Sequence, residues 1–316
     1  MPLSRGVLAF LIVLSISACG KKEGEKKLTI LVSPKGLEHA FWLTVKAGAD
    51  SAGKELGVDI IWRGPARETD VSTQISILED YIHKRVDAIV LAATDAKGII
   101  PYVQKALDAK IPVVTIDSGV ESDLPLSFIA TDNIAGARKA AQTLAGLIGE
   151  KGEVACIPFV PGAATSVMRE QGFREEIQKY PSIKLVAVQY SQSDVATAMA
   201  VTEDILTAHR SLAGIFGANE ASTLGVMRAI KVRGLGGKVK VAGFDASDDE
   251  IQGLREGLVQ ALIVQDPFKM GYLGVKYAGD AIHGKSVPKR VDTGVYVVTR
   301  ENLETPEIQR LLHPCH

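Results

Sequence analysis

Short apolar runs alternate with amphipathic stretches along the chain from Leu28 onward. Runs without an alternating polar face are typical of strands buried in a parallel sheet, and they occur at residues 28–32, 58–62, 88–91 and 113–116. Apolar positions at helical spacing predict helices in the intervals, over residues 41–56, 72–84 and 99–110. A repeated strand–helix order predicts right-handed βαβ units in a doubly wound sheet.

The same alternation continues through the second half of the chain. Further strands are predicted at residues 129–131, 154–159, 185–190, 214–216, 239–242 and 259–264. Helices are predicted between them at residues 135–148, 166–180, 196–209, 221–232, 248–255 and 268–283. One sheet of this many strands would be unusually wide. We therefore predict an α/β fold with two doubly wound parallel-sheet lobes, joined by a hinge that the chain crosses several times.

The loops that follow the predicted strands carry the polar and aromatic residues with binding potential. In open α/β sheets the ligand lies beyond the carboxyl ends of the strands, so two facing lobes would gather these loops around one cleft that hinge motion opens and closes. The candidate residues in these loops, and at the starts of the helices after them, are His39, Phe41, Trp42, Asp117, Ser118, Arg169, Asn219, Phe244, Asp245 and Gln265.

The chemistry of these side chains suits a sugar or another polyol. Carboxylates and amides accept and donate in planar pairs, and arginine donates as a rigid fork, which matches the paired hydroxyls of a vicinal diol. Phe41 and Trp42 are neighbours on a predicted helix and point about 100° apart, so one ring is expected to face the cleft and stack on sugar C–H groups. Two simpler interpretations stay open: both rings pack in the core, and Arg169 forms an internal ion pair.

The first 19 residues have the features of a secretory signal peptide. Arg5 precedes an apolar run over residues 7–16, which is shorter than the roughly 20 residues that span a bilayer. Residues 16–19, ISAC, resemble a bacterial lipobox, so Cys19 is the expected lipidation site; an ordinary signal peptide cut near a cysteine is the alternative. A charged tether is predicted over residues 20–27. The mature protein is expected in the periplasm of the cell envelope, held on a membrane by its lipid.

The composition excludes some function classes. The chain has 36 Lys and Arg against 37 Asp and Glu, for a formal net charge of -1, which gives no electrostatic basis for binding nucleic acid. The histidines show no metal-ligand spacing, so neither a metal nor a cofactor is expected. Cys156 is predicted to be a small buried side chain and Cys315 a free thiol, although an oxidising compartment would permit a disulfide between them.

Catalysis has little support in the sequence. Asp117 and Asp245 could serve as the carboxylate pair of a glycosidase, but a sequence gives no distance between them. Ser166 lacks the glycine context of a nucleophile elbow. The glycines of residues 234–237 follow a helix instead of a strand, which indicates a turn and not a phosphate loop. We therefore predict that the protein is not an enzyme.

Seven segments at these strand ends carry a family resemblance. They are EHAFW (38–42), TID (115–117), ATDN (130–133), REQGF (169–173), FGANE (216–220), VAGFD (241–245) and QDP (265–267). In this order, residues 28–299 resemble the type I periplasmic binding proteins of the ribose/galactose group, the receptors of sugar ABC transporters.

The resemblance implies roles for the candidate residues and boundaries for the lobes. It implies hydrogen bonds to the ligand from Asp117, Arg169, Asn219, Asp245 and Gln265. It also implies that the rings of Phe41, Trp42 and Phe244 sandwich the ligand. Chain crossings are implied near Thr131, Gln265 and Val291. The N-terminal lobe is therefore expected to comprise residues 28–131 and 266–291, and the C-terminal lobe residues 132–265 and 292–316.

The chain also departs from the ribose receptors at four places. They carry Asn where this chain has His39, Arg where it has Ser118, and Asn where it has Ala92. Their third aromatic is replaced by a small polar residue near Gln192 or Ser193. These changes remove donors to a pentose and argue against ribose. The missing Arg further predicts that Asp117 is less neutralised, which would suit a hydroxyl-rich or cationic ligand.

The sequence therefore predicts a monomeric solute-binding receptor that delivers a sugar or polyol to an ABC permease in the inner membrane. The alternatives are a receptor of the same fold that serves chemotaxis or signalling, a receptor for a small polar ligand other than a sugar, and an enzyme.

Overall fold

The computed structural model describes residues 27–314. The predicted signal peptide with Cys19, most of the tether, and Cys315 lie outside the described residues. The strands are β1 Thr29–Ser33, β2 Asp59–Trp62, β3 Ala88–Leu91, β4 Val113–Ile116, β5 Ser127–Ala130, β6 Gly152–Ile157, β7 Ile183–Val188, β8 Leu212–Gly217, β9 Lys240–Phe244, β10 Ala261–Val264, β11 Arg290–Asp292 and β12 Tyr296–Val298.

Helices fill most of the intervals between the strands. They are α1 Ala40–Leu56, α2 Val71–His83, α3 Ile100–Asp108, α4 Asn133–Leu147, α5 Ala164–Ile177, α6 Val195–Ala208, α7 Glu220–Val232, α8 Asp248–Glu256, α9 Pro267–Ile282 and α10 Pro306–Leu312. Within residues 27–314, none of them is long and apolar enough to cross a membrane.

The strands form two separate six-stranded sheets. The first has the order β11-β5-β4-β3-β1-β2 and is parallel throughout. The second has the order β12-β10-β9-β8-β6-β7 and is parallel except for β12, which pairs antiparallel with β10. An antiparallel edge strand is common in otherwise parallel sheets. The prediction of two doubly wound α/β lobes is confirmed.

Helices cover both faces of each sheet. In the first lobe, α1 and α9 pack on one face and α2 and α3 on the other. In the second lobe, α4 and α5 cover one face, while α6, α7, α8 and α10 cover the other. Among the described residues the chain passes between the lobes after β5, after β10 and after β11. The exact residue at which each lobe ends stays a prediction.

The sequence pattern does not predict β11, β12 or α10. Each of the two strands has three residues, too few to display a strand period. The helix has seven residues and starts at Pro306. These short elements acquire their structure from the sheet edges and the core on which they pack.

Two glycines allow α1 and α9 to cross at close range. A Cβ atom on Gly48 would lie 2.0 Å from the carbonyl oxygen of Phe268, and one on Gly271 would lie 1.9 Å from the carbonyl oxygen of Val45. No side chain fits at such distances, so both positions require glycine. The close crossing fixes α1, whose N-terminus reaches the carboxyl end of the first sheet.

Glu250 is a buried carboxylate at the start of α8. It forms a capping box with Ser247, whose backbone N–H donates to Glu250 Oε2 at 2.7 Å. The other oxygen, Oε1, has no hydrogen-bond partner among residues 27–314. Burial, together with the neighbouring carboxylates of Glu220 and Asp245, raises the pKa of Glu250 well above its ordinary value.

A Glu250→Gln variant should be more stable than the parent protein at neutral pH. An acid whose pKa is raised by folding contributes stability while it is protonated, and this contribution is lost as the pH rises through the raised pKa. Glutamine keeps the capping box and removes the charge. The free energy of unfolding at neutral pH should therefore rise.

Denaturant unfolding from about pH 4.5, near the pKa of an unfolded glutamate, to about pH 8 measures the effect. The parent protein should lose stability across this window, and the variant should lose less. Glu256→Gln, at an exposed position on the same helix, is the control. If parent and Glu250→Gln lost stability equally as the pH rose, the assignment to Glu250 would be wrong.

Candidate functional site

The carboxyl ends of the two sheets face each other across a cavity with about 290 Å³ of empty space, which includes solvent at its open mouth. The cavity is lined from both lobes by Lys35, His39, Phe41, Trp42, Glu68, Asp117, Phe159, Arg169, Asn219, Glu220, Asp245 and Gln265. Eight of the ten candidate residues belong to this lining, and Ser118 and Phe244 do not. The role of the eight lining residues in ligand binding stays a prediction.

Two hydrogen bonds join the lobes on one side of the cavity. The ammonium of Lys35, in the loop after β1, donates to Thr165 Oγ1 in α5 at 3.0 Å. The Ala96 N–H, in the loop after β3, donates to the carbonyl of Gly162, in the loop after β6, at 3.1 Å. Both bonds connect residues of opposite lobes, so the structure is a closed form.

Glu68, in the loop after β2, anchors another set of contacts between the lobes. Its carboxylate accepts from Trp42 Nε1 at 2.9 Å and from Ser193 Oγ of the second lobe at 3.0 Å. Ser193 Oγ accepts in turn from Asn219 Nδ2 at 2.8 Å. Burial acts to raise the pKa of Glu68, but Lys35 and the hydrogen bonds outweigh it and bring the pKa below its ordinary value. Glu68 is therefore ionised at neutral pH.

Lys35 and Asp117 form a buried ion pair in the first lobe. Lys35 Nζ lies 3.1 Å from Asp117 Oδ2, and each side chain is 3% exposed. Burial raises the pKa of Asp117, although the cations of Lys35 and Arg169 act in the opposite direction. Ser118 leaves Asp117 without an adjacent arginine, as expected, but Lys35 places another cation beside the carboxylate. The pKa of Asp117 is raised in spite of it, so the expectation of weak neutralisation stays a prediction. The cation comes from the loop after β1 instead of from the adjacent residue.

Arg169 is held in the second lobe by three contacts. Its Nε donates to Asn133 Oδ1 and its Nη1 to the Ala218 carbonyl, each at 2.8 Å, and its guanidinium carbon lies 3.7 Å from the ring centre of Phe244. Burial lowers the pKa of Arg169, and the carboxylate of Asp245 opposes this effect. The Phe244 ring therefore packs against the guanidinium of Arg169 and is not part of the cavity lining. The expectation that its ring faces the ligand does not fit this placement.

Glu220, the first residue of α7, caps a helix of the opposite lobe. Its two carboxylate oxygens accept the N–H groups of Ala40 and Phe41 at 3.1 and 3.0 Å. These groups open α1, whose N-cap residue His39 makes no capping hydrogen bond with its own side chain. A carboxylate at a helix N-terminus is favourable because it satisfies free N–H groups and the helix dipole. Burial raises the pKa of Glu220 against the influence of these bonds.

Asp245 and Gln265 form a buried pair in the second lobe. Gln265 Nε2 donates to Asp245 Oδ1 at 2.7 Å, and the Glu220 N–H donates to Asp245 Oδ2 at 3.0 Å. Gln265 Oε1 is buried and has no partner in the described part of the chain. Asn219 uses its Oδ1 to cap α7 through the Ser222 N–H at 2.9 Å. These side chains build the cavity wall, and Gln265 retains a free acceptor.

Aromatic rings reach the cavity from both lobes. Phe41 and Trp42 pack edge to face with ring centres 4.9 Å apart. Both line the cavity, as the family resemblance implies, whereas the helix geometry alone predicted one ring. Phe159 at the end of β6 contributes a ring from the second lobe. Phe159 is thus an aromatic lining residue from the second lobe at a position other than Gln192 or Ser193.

Two aspartates at strand ends have left-handed backbone conformations. Asp117 follows β4 with φ 53°, and Asp245 follows β9 with φ 83°. Residues other than glycine rarely adopt such angles, and the positions that do so concentrate at functional sites. Both side chains line the cavity, which supports its assignment as the functional site.

Two further residues considered in the sequence analysis, Ser118 and Cys156, are buried in the core. Ser118 is buried, and its Oγ has no partner among the described residues, while its carbonyl accepts the Ala93 N–H at 2.8 Å. Cys156 is buried, as predicted, and burial raises the pKa of its thiol; its pairing with Cys315, which lies outside the described residues, is not tested.

Sequence reasoning misses four lining residues, namely Lys35, Glu68, Phe159 and Glu220. Each lies at or just after the carboxyl end of a strand. Their position beyond the carboxyl end of a strand is the signal in the sequence that identifies them.

The chain is similar to known proteins over most of its length. A family model described as "Periplasmic binding protein domain" matches residues 30–286. The ribose import binding protein of Bacillus subtilis is 30% identical over 277 residues, or 88% of this chain and 89% of that protein.

Solved structures of solute-binding proteins are also similar to this chain over most of its length. A carbohydrate transporter solute-binding protein of Agrobacterium radiobacter, in complex with D-arabinose, aligns with a TM-score of 0.88 and 38% identity, covering 91% of this chain and 99% of that chain. An ABC transporter solute-binding protein of Agrobacterium vitis with bound D-fucose aligns with a TM-score of 0.87 and 38% identity, covering 89% and 98%.

Proposed function

The chain belongs to the periplasmic binding proteins, and we propose from this premise that it is the sugar-binding receptor of an ABC transporter. The observation that carries the proposal is the cavity between the carboxyl ends of the two sheets. It combines aromatic rings from both lobes with fixed carboxylate, amide and guanidinium groups. This is the combination that a monosaccharide requires, since its ring has apolar C–H faces and a polar edge of hydroxyls.

The ligand we propose is a neutral monosaccharide. The two solved relatives described above hold a pentose and a deoxyhexose, D-arabinose and D-fucose. The free acceptor of Gln265 faces a site in which Asp245 and Arg169 are already fixed by protein partners. A ligand hydroxyl therefore meets groups that need no reorganisation on binding.

Binding is proposed to act by a population shift between open and closed forms. Groups from both lobes surround the cavity, so a ligand contacts all of them only in the closed form and favours that form by its extra contacts. The hydrogen bonds from Lys35 to Thr165 and from Ser193 to Glu68 exist only when the lobes meet. They add to the stability of the closed state.

The proposal includes no catalytic step. Asp117 and Asp245 were the candidate carboxylate pair of a glycosidase. Asp117 is ion-paired with Lys35, and Asp245 accepts hydrogen bonds from Gln265 and from the Glu220 N–H. Both carboxylates thus have fixed partners within the protein, which supports a binding role.

The family implies a periplasmic location. We further propose that lipidated Cys19 anchors the mature protein to a membrane through a short tether. As a monomer, it would deliver the sugar to a permease of the inner membrane.

Calorimetric titration with a panel of neutral mono- and disaccharides and polyols tests the function. At least one neutral monosaccharide should bind, and disaccharides should not. Asp245→Asn should weaken this binding by about 10- to 100-fold, because hydrogen bonds to a charged group contribute about 1.5–3 kcal/mol. Asp249→Asn, at an exposed position on α8, should bind as the parent does. The proposal fails if no member of the panel binds, or if Asp245→Asn matches the parent protein.

A further inference from the structure

Lys35 has surroundings that resemble the binding site of an alkylammonium ion. Its Nζ lies 3.1 Å from Asp117 Oδ2 and 3.0 Å from Thr165 Oγ1. It also lies 5.8 Å from the ring centre of Trp42 and 5.2 Å from that of Phe159. A carboxylate combined with aromatic faces is the arrangement by which proteins recognise ammonium groups. Here the ammonium belongs to the protein itself.

Lys35 lies in the ligand cavity, so its ammonium competes with any cationic group of a ligand for the same contacts. Trp42 belongs to the first lobe and Phe159 to the second, and both rings line the ligand cavity together with Lys35. The Lys35 ammonium is thus within reach of aromatic rings from both sides of the cleft. A cationic group on a ligand would seek the same rings and the same carboxylate.

The charges of the lining support this interpretation. Four carboxylates line the cavity, those of Glu68, Asp117, Glu220 and Asp245. Glu220 is occupied by the N-terminus of α1, and Asp245 by Gln265 and a backbone N–H. Asp117 pairs directly with Lys35, and Lys35 also acts on the charge of Glu68. Without Lys35, the remaining cation among the Lys and Arg side chains of this lining would be Arg169.

Arg169 acts on the charge of Asp117 but forms no ion pair with it among the described residues. Its guanidinium is committed to Asn133, the Ala218 carbonyl and the ring of Phe244 within the second lobe. Removal of Lys35 would take away the cation that lowers the pKa of both Asp117 and Glu68. A foreign ammonium ion in the same place, beside the two aromatic rings, would again favour their ionised forms.

We propose that Lys35 is a tethered cation that occupies an ammonium site in the ligand cleft and makes the receptor select neutral sugars against amino sugars. The statement on sugars rests on the proposed function. The occupied ammonium site does not, because it is defined by the protein's own contacts. Lys35 is thus a specificity-determining residue. It lies in the loop after β1 and provides the positive charge that an arginine at position 118 would otherwise provide.

Chemical rescue of Lys35→Ala tests the site without any sugar. The substitution removes three methylenes and the ammonium, which together correspond to n-propylammonium. We expect n-propylammonium chloride to raise the melting temperature of Lys35→Ala more than that of the parent protein, while sodium chloride and n-propanol do not. Lys105→Ala is the matched control: Lys105 has an ion pair with Glu79 at 2.7 Å and lies over the Tyr102 ring at 4.8 Å, but on the surface.

Calorimetry tests the selectivity. The parent protein should bind the neutral monosaccharide found in the panel at least about 10-fold more tightly than its 2-amino-2-deoxy analogue. The pH is one at which the amine is protonated, so that the Lys35 ammonium repels it and already occupies the aromatic rings. Lys35→Ala should reduce or reverse this ratio. n-Propylammonium should restore the affinity of Lys35→Ala for the neutral sugar. Lys35→Met, which keeps the volume and removes the charge, should also lower the ratio and serves if Lys35→Ala does not fold.

The outcomes separate the two proposals. If the parent protein binds no sugar but n-propylammonium specifically stabilises Lys35→Ala, the proposed function fails and the ammonium site stands. If n-propylammonium gives no more stabilisation than sodium chloride, the ammonium site is refuted. If Lys35→Ala and Lys35→Met keep the parent's preference for the neutral sugar over the amino sugar, the selectivity role of Lys35 is refuted.

Discussion

An Arg169→Met variant is expected to lose about 3–6 kcal/mol of its free energy of unfolding, because it loses two buried hydrogen bonds from a charged donor that contribute about 1.5–3 kcal/mol each. Methionine can fill the space over the Phe244 ring but cannot donate. The Asn133 side chain and the Ala218 carbonyl would each lose a bond of 2.8 Å. The carboxylate of Asp245 would lose a cation that acts on it inside the protein.

The same variant should lose most of its affinity for sugar, because Arg169 lines the cavity and is predicted to donate to the ligand. Denaturant unfolding and calorimetry measure the two effects. Arg174→Met is a matched control on the same helix, since Arg174 pairs with Glu170 at the surface, with its side chain 44% exposed. It should change the stability by no more than about 1 kcal/mol. Equal stability and affinity in both variants would refute the structural role given to Arg169.

A Glu220→Ala variant is expected to bind sugar about 10- to 100-fold more weakly, because two hydrogen bonds from N–H groups to a carboxylate are lost. These bonds join α7 of the second lobe to the N-terminus of α1 in the first lobe. They form only in the closed state, so their removal favours the open one. Most of the lost affinity should therefore be seen as faster ligand release.

Stopped-flow kinetics separate release from association in this variant. Glu220→Gln keeps one acceptor oxygen and should lie between the parent and Glu220→Ala. Asp204→Ala removes an exposed carboxylate on α6 of the same lobe and should leave both rates unchanged. If ligand release from Glu220→Ala were as slow as from the parent, the contact would contribute nothing to closure.

The sequence predicts the two lobes well because their strands and helices have strong local signals. The long strands are continuous apolar runs, and the helices start at side chains that cap them, such as Asp132, Asp194 and Asn219. By contrast, β11 and β12 have three residues each and depend on the edge of an existing sheet. Local patterns do not contain that information.

The candidate site is predicted less completely, since its geometry depends on contacts between the lobes. Ser118 is next to Asp117 in sequence but turns into the core, whereas Lys35 reaches Asp117 from a different strand end. Phe244 and Phe159 both come at strand ends, and only their packing decides which one lines the cavity. Strand ends therefore identify the right loops, while the orientation of each side chain requires the structure.

The measurement that tests the central claim most directly is small-angle scattering of the parent protein, with and without a saturating neutral monosaccharide from the panel. We expect a smaller radius of gyration with the sugar, because the ligand favours the closed form in which both lobes contact it. An unchanged radius of gyration at saturation would contradict closure of the two lobes around the ligand.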